Sequence, residues 1–232
     1  MEGWVLAETD SEMGRVWWWG PVLAGSMTAT FDETAGALFE TALGTLEGYD
    51  EHELALDHRS ASLATFAIRH GFERQASSAA LTTPPFDSVT SPTDNGVVEL
   101  DERHHDSVMA LHDEFFPGTH TPGSKIVEAD DDRGRLVIEG TTAGDAVGYV
   151  ATEMQSDASL YIDYLGVATD RRGEGLGRRL VSEAMRRGTI AGATHAHLTV
   201  RTANDAARQL YRSLGFVEER ILVPYRRGFT LD

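Results

Sequence analysis

The sequence predicts an α+β fold of strands and helices in two lobes, and three observations carry that reading. Short runs alternate β-branched or aromatic residues with polar ones, as half-buried strands do, and "SLYIDYLGV" (159–167) is one of the clearest. From Leu176 the period becomes helical: Leu176, Leu180, Val181, Ala184 and Met185 form one stripe, while Arg178, Arg179, Glu183, Arg186 and Arg187 face away. Between the two lies "DRRGEGLG" (170–177), too rich in glycine to continue either element and therefore a strand-to-helix turn.

The remaining elements follow the same logic. "VVEL" (97–100) reads as a strand, and "DERHHDSVMALHDEFF" (101–116) as a helix opening with an acidic cap. "RLVIEG" (135–140) and "DAVGYVATEM" (145–154) read as strands, followed after the helix by "AHLTV" (196–200). Asn204 or Asp205 caps a helix that carries Ala207, Leu210, Tyr211 and Leu214 on one face and ends at Gly215. "ILVPYRR" (221–227) reads as a last strand, with Pro224 placed at an edge or bulge. The Ser/Thr/Pro-rich stretch from 76 to 97 separates the lobes, giving a first lobe at 1–85, a linker at 86–95 and a second lobe at 96–232.

The first lobe resembles a partial copy of the second. "ELALDHRSASLATFAIRHGFE" (53–73) lies on "HLTVRTANDAARQLYRSLGFV" (197–217), with Gly71 on Gly215 at a shift of 144. "GWVLAETD" with "WWWGPV" lies on "GYVATEMQ" with "DYLGVA", with Gly20 on Gly166 at a shift of 146.

Composition excludes several functions. The 232 residues carry a net charge of −17, from 20 basic and 37 acidic residues, which argues against a cationic nucleic-acid footprint. With no cysteine there is no disulfide, thiolate zinc site or cysteine nucleophile. "MEGWVLAETD" lacks a basic lead and a long apolar core, and no run reaches the ~20 apolar residues of a membrane helix, so a cytoplasmic protein without membrane contact is expected.

A strand, a glycine turn and a helix leave unpaired N–H groups at the positive end of the helix dipole, where an anion fits. Arg172 and Arg171 add charge, and Gly173, Gly175 and Gly177 allow close backbone approach. The dinucleotide fingerprint is absent, because Arg178 stands where G-x-G-x-x-G needs its last glycine, and no lysine completes a Walker loop.

"LGVATDRRGEGLGRRLV" is similar to the acetyl-CoA signature of the GNAT superfamily, R/Q-x-x-G-x-G/A, with Arg172, Gly175 and Gly177 at its fixed positions. "NDAARQLYRSLGF" resembles that family's next motif, and together they cover about 96–232. The resemblance implies a mixed, mostly antiparallel sheet flanked by helices, whose "YLGV" strand splays from its "HLTV" strand. Pantetheine would lie in that gap against the backbone of Leu165, Gly166 and Val167, with the pyrophosphate on the loop Arg172, Gly173, Glu174, Gly175, Leu176, Gly177 and Arg178. Asn204 would complete the cofactor set, and the Tyr211 hydroxyl would protonate the coenzyme A sulfur.

Asp163 and Glu153, acidic residues in otherwise apolar runs, are candidates for the base. His104, His105 and His112 are expected on a solvated helix face rather than on a metal, and "DDD" (130–132) in an exposed loop. Trp17, Trp18 and Trp19 are expected to pack rather than to line a substrate wall. Through the repeat, Arg172, Gly175 and Gly177 fall on Ser26, Ala29 and Phe31, Asn204 on Ser60, Tyr211 on Ala67 and Asp163 on Trp17, so the first lobe keeps none of this chemistry.

The sequence thus points to an acetyl-CoA-dependent N-acetyltransferase acting on a primary amine of a small molecule or peptide. It uses no metal, and its tandem lobes make a monomeric pseudo-dimer or a homodimer. The alternative is a non-catalytic acyl-CoA-binding or regulatory module in which Tyr211 is structural.

Overall fold

A computed structural model describes residues 3–11, 14–23, 31–86, 96–117, 119, 121–128, 133–140 and 145–228. They form two compact units, Met1–Ala79 with Arg220–Asp232, and Ala80–Glu219. The last strand's residues from 220 onward therefore pack in the first unit, where the sequence reading kept 96–232 together. Residues 130–132, and 87–95 of the expected linker, lie outside the described residues.

In the first unit β1 (Gly3–Asp10) pairs antiparallel with β2 (Arg15–Leu23), and β2 pairs parallel with β3 (Glu51–Asp57). Helix α1 (Phe31–Leu43) precedes β3, and α2 (Ala61–Arg69) follows it. Both residues of β4 (Glu73–Arg74) and His52–Asp57 of β3 pair antiparallel with β11 (Val217–Arg227). The core joins Val16, Trp18, Phe39, Phe66, Phe72 and Tyr225, with the Trp18 indole N–H donating to His52 Nδ1 at 3.2 Å. Of the three tryptophans Trp18 is the core residue, whereas Trp19 is 55% exposed. Pro224 lies within β11, opposite Ala55 in an unbroken register, rather than at an edge or bulge. Its carbonyl accepts from the Gln75 N–H, just past the short β4.

In the second unit β6 (Val97–Glu99), β7 (Arg133–Glu139), β8 (Ala146–Met154) and β9 (Ser159–Val167) pair antiparallel in that order. β9 then pairs parallel with β10 (His195–Arg201), which has β5 (Ser78–Thr82) on its other side. This is the mixed, mostly antiparallel sheet flanked by helices that was expected. Helices α3 (His105–Phe115) and α5 (Leu176–Ile190) both pack on β8 and β9, with α4 (Gly123–Val127) against α3. α6 (Asp205–Ser213) follows β10, its first turn closed by Asn204 Oδ1 accepting from the Ala207 N–H at 3.1 Å.

Element bounds recur between the units at a constant offset of 144: β2 begins at 15 and β9 at 159, β3 at 51 and β10 at 195, α2 at 61 and α6 at 205. The parallel rungs obey the same offset, Arg15 opposite Glu51 and Ser159 opposite His195. The shift of 146 at Gly20 is therefore corrected by two residues, which puts Trp19 rather than Trp17 opposite Asp163. Ser26 and Ala29 lie outside the described residues.

Two histidines and a glutamate expected in solvent are buried. His104 closes the turn before α3, its Nδ1 accepting from the Asp101 N–H, and His112 is fully enclosed between α3 and β8. Glu183, on the polar side of α5, is 4% exposed because Arg186 and Arg187 both donate to it; that pairing holds its carboxyl down at about 2.

Candidate active site

β9 is straight neither in register nor in partner. Tyr164 faces Ala151 and Ile162 faces Thr152 across β8, so Asp163 is one residue too many: a β-bulge. The bulge reverses the alternation along the strand. Leu160 contacts α5 at Gly188, and beyond the bulge Leu165 and Val167 approach α5 at Gly177. Tyr161 and Tyr164 therefore share the opposite face, Tyr164 meeting His112 and Phe116 edge-on.

Parallel pairing of β9 with β10 covers only three rungs, the last being Tyr161 with His197. Past that rung both strands continue without pairing, and among the described residues the edge of Leu165–Val167 that faces β10 has no strand partner. β9 ends in a helical turn (Thr169–Arg171) and then the glycine loop. Gly173 and Gly175 have φ of +85° and +78° with open space where a Cβ would stand, so backbone conformation alone demands glycine there. At Gly166 the demand is steric: a Cβ would lie 2.6 Å from the Tyr149 ring.

Helix α5 starts at Leu176, and its first i→i−4 bond is Arg179 N–H to the Gly175 carbonyl. The N–H groups of Leu176, Gly177 and Arg178 are the orphan donors of that first turn. Arg172 Nε donates to the Val167 carbonyl at 3.2 Å, and its guanidinium lies 4.8 Å from the centre of the Phe115 ring. Arg171 instead forms a two-pronged pair with Glu174, at 2.9 and 2.8 Å. Arg178 reaches across to the Ser213 carbonyl and hydroxyl, joining the start of α5 to the end of α6. A Cβ on Gly177 would sit 3.2 Å from Leu210 and 3.7 Å from Leu165, so the loop helix, β9 and α6 converge there.

From α6, Tyr211 is 7% exposed and lies edge-on to Phe216. Burial, with Tyr161 close by, pushes its phenol up to about 12, so it keeps its proton throughout the neutral range. Tyr161 is raised as well, by burial and by the charges of Asp163 and Glu153, against a hydrogen bond with the Thr199 hydroxyl. Its ring lies 5.0 Å from that of His197, whose pKa burial lowers. Glu153 faces Tyr161 across β8 and accepts from the Gln155 side chain at 3.0 Å. Behind this cluster His112 Nδ1 accepts from the Tyr149 hydroxyl at 2.7 Å, and its Nε2–H donates to the Thr121 carbonyl at 2.8 Å. Both ring nitrogens are occupied in the neutral form, and burial lowers the pKa of His112 further.

Residues 105–216 match the family model described as the acetyltransferase (GNAT) family. Residues 105–216, just under half of the 232-residue chain, carry a GNAT acetyltransferase domain. A GCN5-related N-acetyltransferase from Sphaerobacter thermophilus is similar over 96% of this chain and 75% of its own, at 16% identity and a TM-score of 0.71. One from Kribbella flavida is similar over 99% and 89%, at 19% identity and a TM-score of 0.68. A tandem GNAT protein of the clavulanic acid biosynthesis pathway covers 94% and 77%, at 13% identity and a TM-score of 0.65. These likenesses establish the GNAT fold. Comparison with curated protein sequences gives no match.

Within this GNAT domain the structure places Leu165, Gly166 and Val167 on β9 past its last rung with β10, Arg172 to Arg178 at the loop and first turn, and Tyr211 close to Tyr161 at that last rung. Asp163 occupies the bulge and Glu153 the neighbouring strand. Asn204 spends its side-chain oxygen on the helix cap. Glu174 engages Arg171. No group of three or more metal-ligating side chains occurs among the described residues, and none of their helices is long and apolar enough to cross a membrane. Sequence reasoning missed Tyr161, His197, Thr199 and Phe115. Only the parallel register of two strands 36 residues apart brings Tyr161 to His197, and no local pattern signals it.

Proposed function

We propose that the second unit binds acetyl-CoA and transfers its acetyl group directly to a primary amine of a small molecule or peptide. The observation that carries this reading is the end of β9–β10 pairing at the Tyr161–His197 rung, with buried, protonated Tyr211 close to Tyr161 and the glycine loop at the end of the same strand. The first-turn N–H groups of α5 and Arg172 suit a pyrophosphate, and the free edge of Leu165–Val167 suits the pantetheine amides. When bound, acetyl-CoA supplies a thioester carbonyl open to attack.

The residues then divide the proton transfers. The acceptor ammonium must lose a proton before nitrogen can attack, and Asp163 and Glu153 flank Tyr161 at the place where that proton leaves. Neutral His197 lines the same face. As the C–N bond forms and the C–S bond breaks, the Tyr211 hydroxyl donates its proton to the departing sulfur, and the second proton shed by the acylated nitrogen returns to the phenolate. The matching offset of elements supports reading the first unit as a degenerate GNAT-like lobe, in which Ala67 stands for Tyr211.

Calorimetric titration of acetyl-CoA, followed by thiol release with a panel of amines, tests the proposal. Micromolar binding, with amine-dependent turnover lowered about 100-fold or more by Tyr211→Phe, is expected. Binding without turnover for any amine would assign the non-catalytic role, and absence of binding would remove the acetyl-CoA reading altogether.

A further inference from the structure

A cavity of about 780 Å³ lies under the C-terminal half of α5, away from the loop. From Gly177 to Gly188 the helix advances about 16 Å, so the cavity and the proposed cofactor cleft occupy opposite ends of α5. Its floor is the α5-facing side of the sheet: Leu136, Thr152, Met154 and Leu160. Ala184, Gly188 and Ala191 roof it with almost no side chain, and Gly134 borders the floor beside Thr152. The volume is that of a small-molecule site, with a mainly apolar body in which Thr152 is the polar floor residue and charged groups at the rim.

The margin is acidic. Glu99, Asp101, Glu102 and Glu128 border the opening, against Arg135, Arg187 and His105. Arg187 is matched by Glu183 and Glu99, while Arg135 donates to the Ile126 and Gly134 carbonyls and keeps its charge, so the four carboxylates of the rim still outnumber its two guanidiniums. Asp101 is paired with Arg103, whereas Glu102 and Glu128 form no ion pair among the described residues. The last turn of α5 adds the negative pole of its dipole to the same margin.

We propose that this cavity is a second ligand site, for an aliphatic or aromatic monoamine whose apolar body lies on Leu136, Met154 and Leu160. Its ammonium meets Glu102, Glu128 and the end of α5. The site stands apart from the acetyl-transfer reading and does not depend on it.

The test titrates n-octylamine, n-octanol and octanoate into the full chain, with no acetyl-CoA present. Octylamine should bind at least about tenfold tighter than octanol, and octanoate should not bind. The double rim variant Glu102→Lys/Glu128→Lys, which changes two exposed side chains, should lose about tenfold or more for octylamine and little for octanol. Met154→Trp should abolish binding of both by filling the floor. Acetyl-CoA affinity, measured separately, should be unchanged in the rim variant, so failure of this site and failure of the cofactor reading are told apart. Octylamine binding that survives both changes would place the amine in the transfer cleft and overturn the proposal, as would absence of saturable binding at millimolar octylamine.

Discussion

The two adjacent arginines of the glycine loop should differ sharply in their effect on coenzyme A binding. Arg171 is matched by Glu174 through two hydrogen bonds, so its charge is already balanced within the loop. Arg172 rests on a carbonyl and an aromatic ring, neither of which cancels its charge. A phosphate charge at ~4 Å from it gains ~1 kcal/mol at water's dielectric and ~4 kcal/mol at an effective value of 20. Because the loop is exposed, the lower part of that range applies, so Arg172→Ala should weaken binding by about 5- to 30-fold. Arg171→Ala should change it by no more than about twofold, and Glu174→Gln, which frees Arg171, should tighten it a few-fold. Calorimetry with coenzyme A at 0.1 M and 0.5 M salt, as roughly one and less than half a Debye length of 10 Å, reads all three, and higher salt should narrow their differences. Equal losses at the two arginines, or wild-type binding by Arg172→Ala, would refute the assignment of the phosphate to Arg172.

Tyr211→Phe should lower kcat about 100-fold or more while leaving coenzyme A affinity within about twofold, as thiol release and calorimetry would show. Tyr149→Phe removes the donor to buried His112 Nδ1 and should cost about 1–3 kcal/mol; a melting temperature within a degree of wild type would contradict that hydrogen bond. His112 is held neutral with its pKa below the 6.5 of a free histidine. The unfolded chain therefore takes up the proton first, and stability present above pH 6.5 is lost as the pH falls below it, which melts at pH 7.5 and 5.5 should register as a drop. Gly175→Ala forces a Cβ onto a φ of +78° and should cost about 1–2 kcal/mol, seen as a lower melting temperature with weakened coenzyme A binding.

Backbone-level features were legible in the sequence because they depend on local chemistry. Glycine at the positive φ of 175 and 215, Asn204 at a helix start, and the 3.6-residue stripe from Leu176 each follow from one residue's own constraints. What escaped reading was set by tertiary pairing. Strict alternation puts Tyr161, Asp163 and Leu165 on one face, but the bulge at Asp163 breaks that set, and nothing in "YIDYLG" distinguishes the two outcomes. His112 looked solvated because its burial depends on Tyr149, 37 residues away, and on the Thr121 carbonyl in the following loop. Glu183 was misplaced for a similar reason: arginines three and four residues on supply enough hydrogen bonds to make burial of a carboxylate tolerable.

The constant offset between the two units separates what preserves a fold from what preserves a site. At the end of α2 the Phe72 N–H donates to the Ala67 carbonyl over Gly71, at φ +79°; at the end of α6 the Phe216 N–H donates to the Tyr211 carbonyl over Gly215, at φ +91°. The backbone termination is the same, and both turns need glycine. The side chain at the shared carbonyl position differs completely. Ala67 is fully buried in a cluster with Phe39, Phe66 and Phe72, where a tyrosine would overpack the core at a cost of about 1–3 kcal/mol. Ser60, standing where Asn204 caps α6, makes no side-chain cap bond. The first unit has thus closed its interior with aromatic packing where the second keeps a tyrosine beside an open strand edge. If the first unit is the degenerate lobe proposed above, reinstating a tyrosine alone would meet a filled core, so the position could regain that side chain only together with a repacked interior.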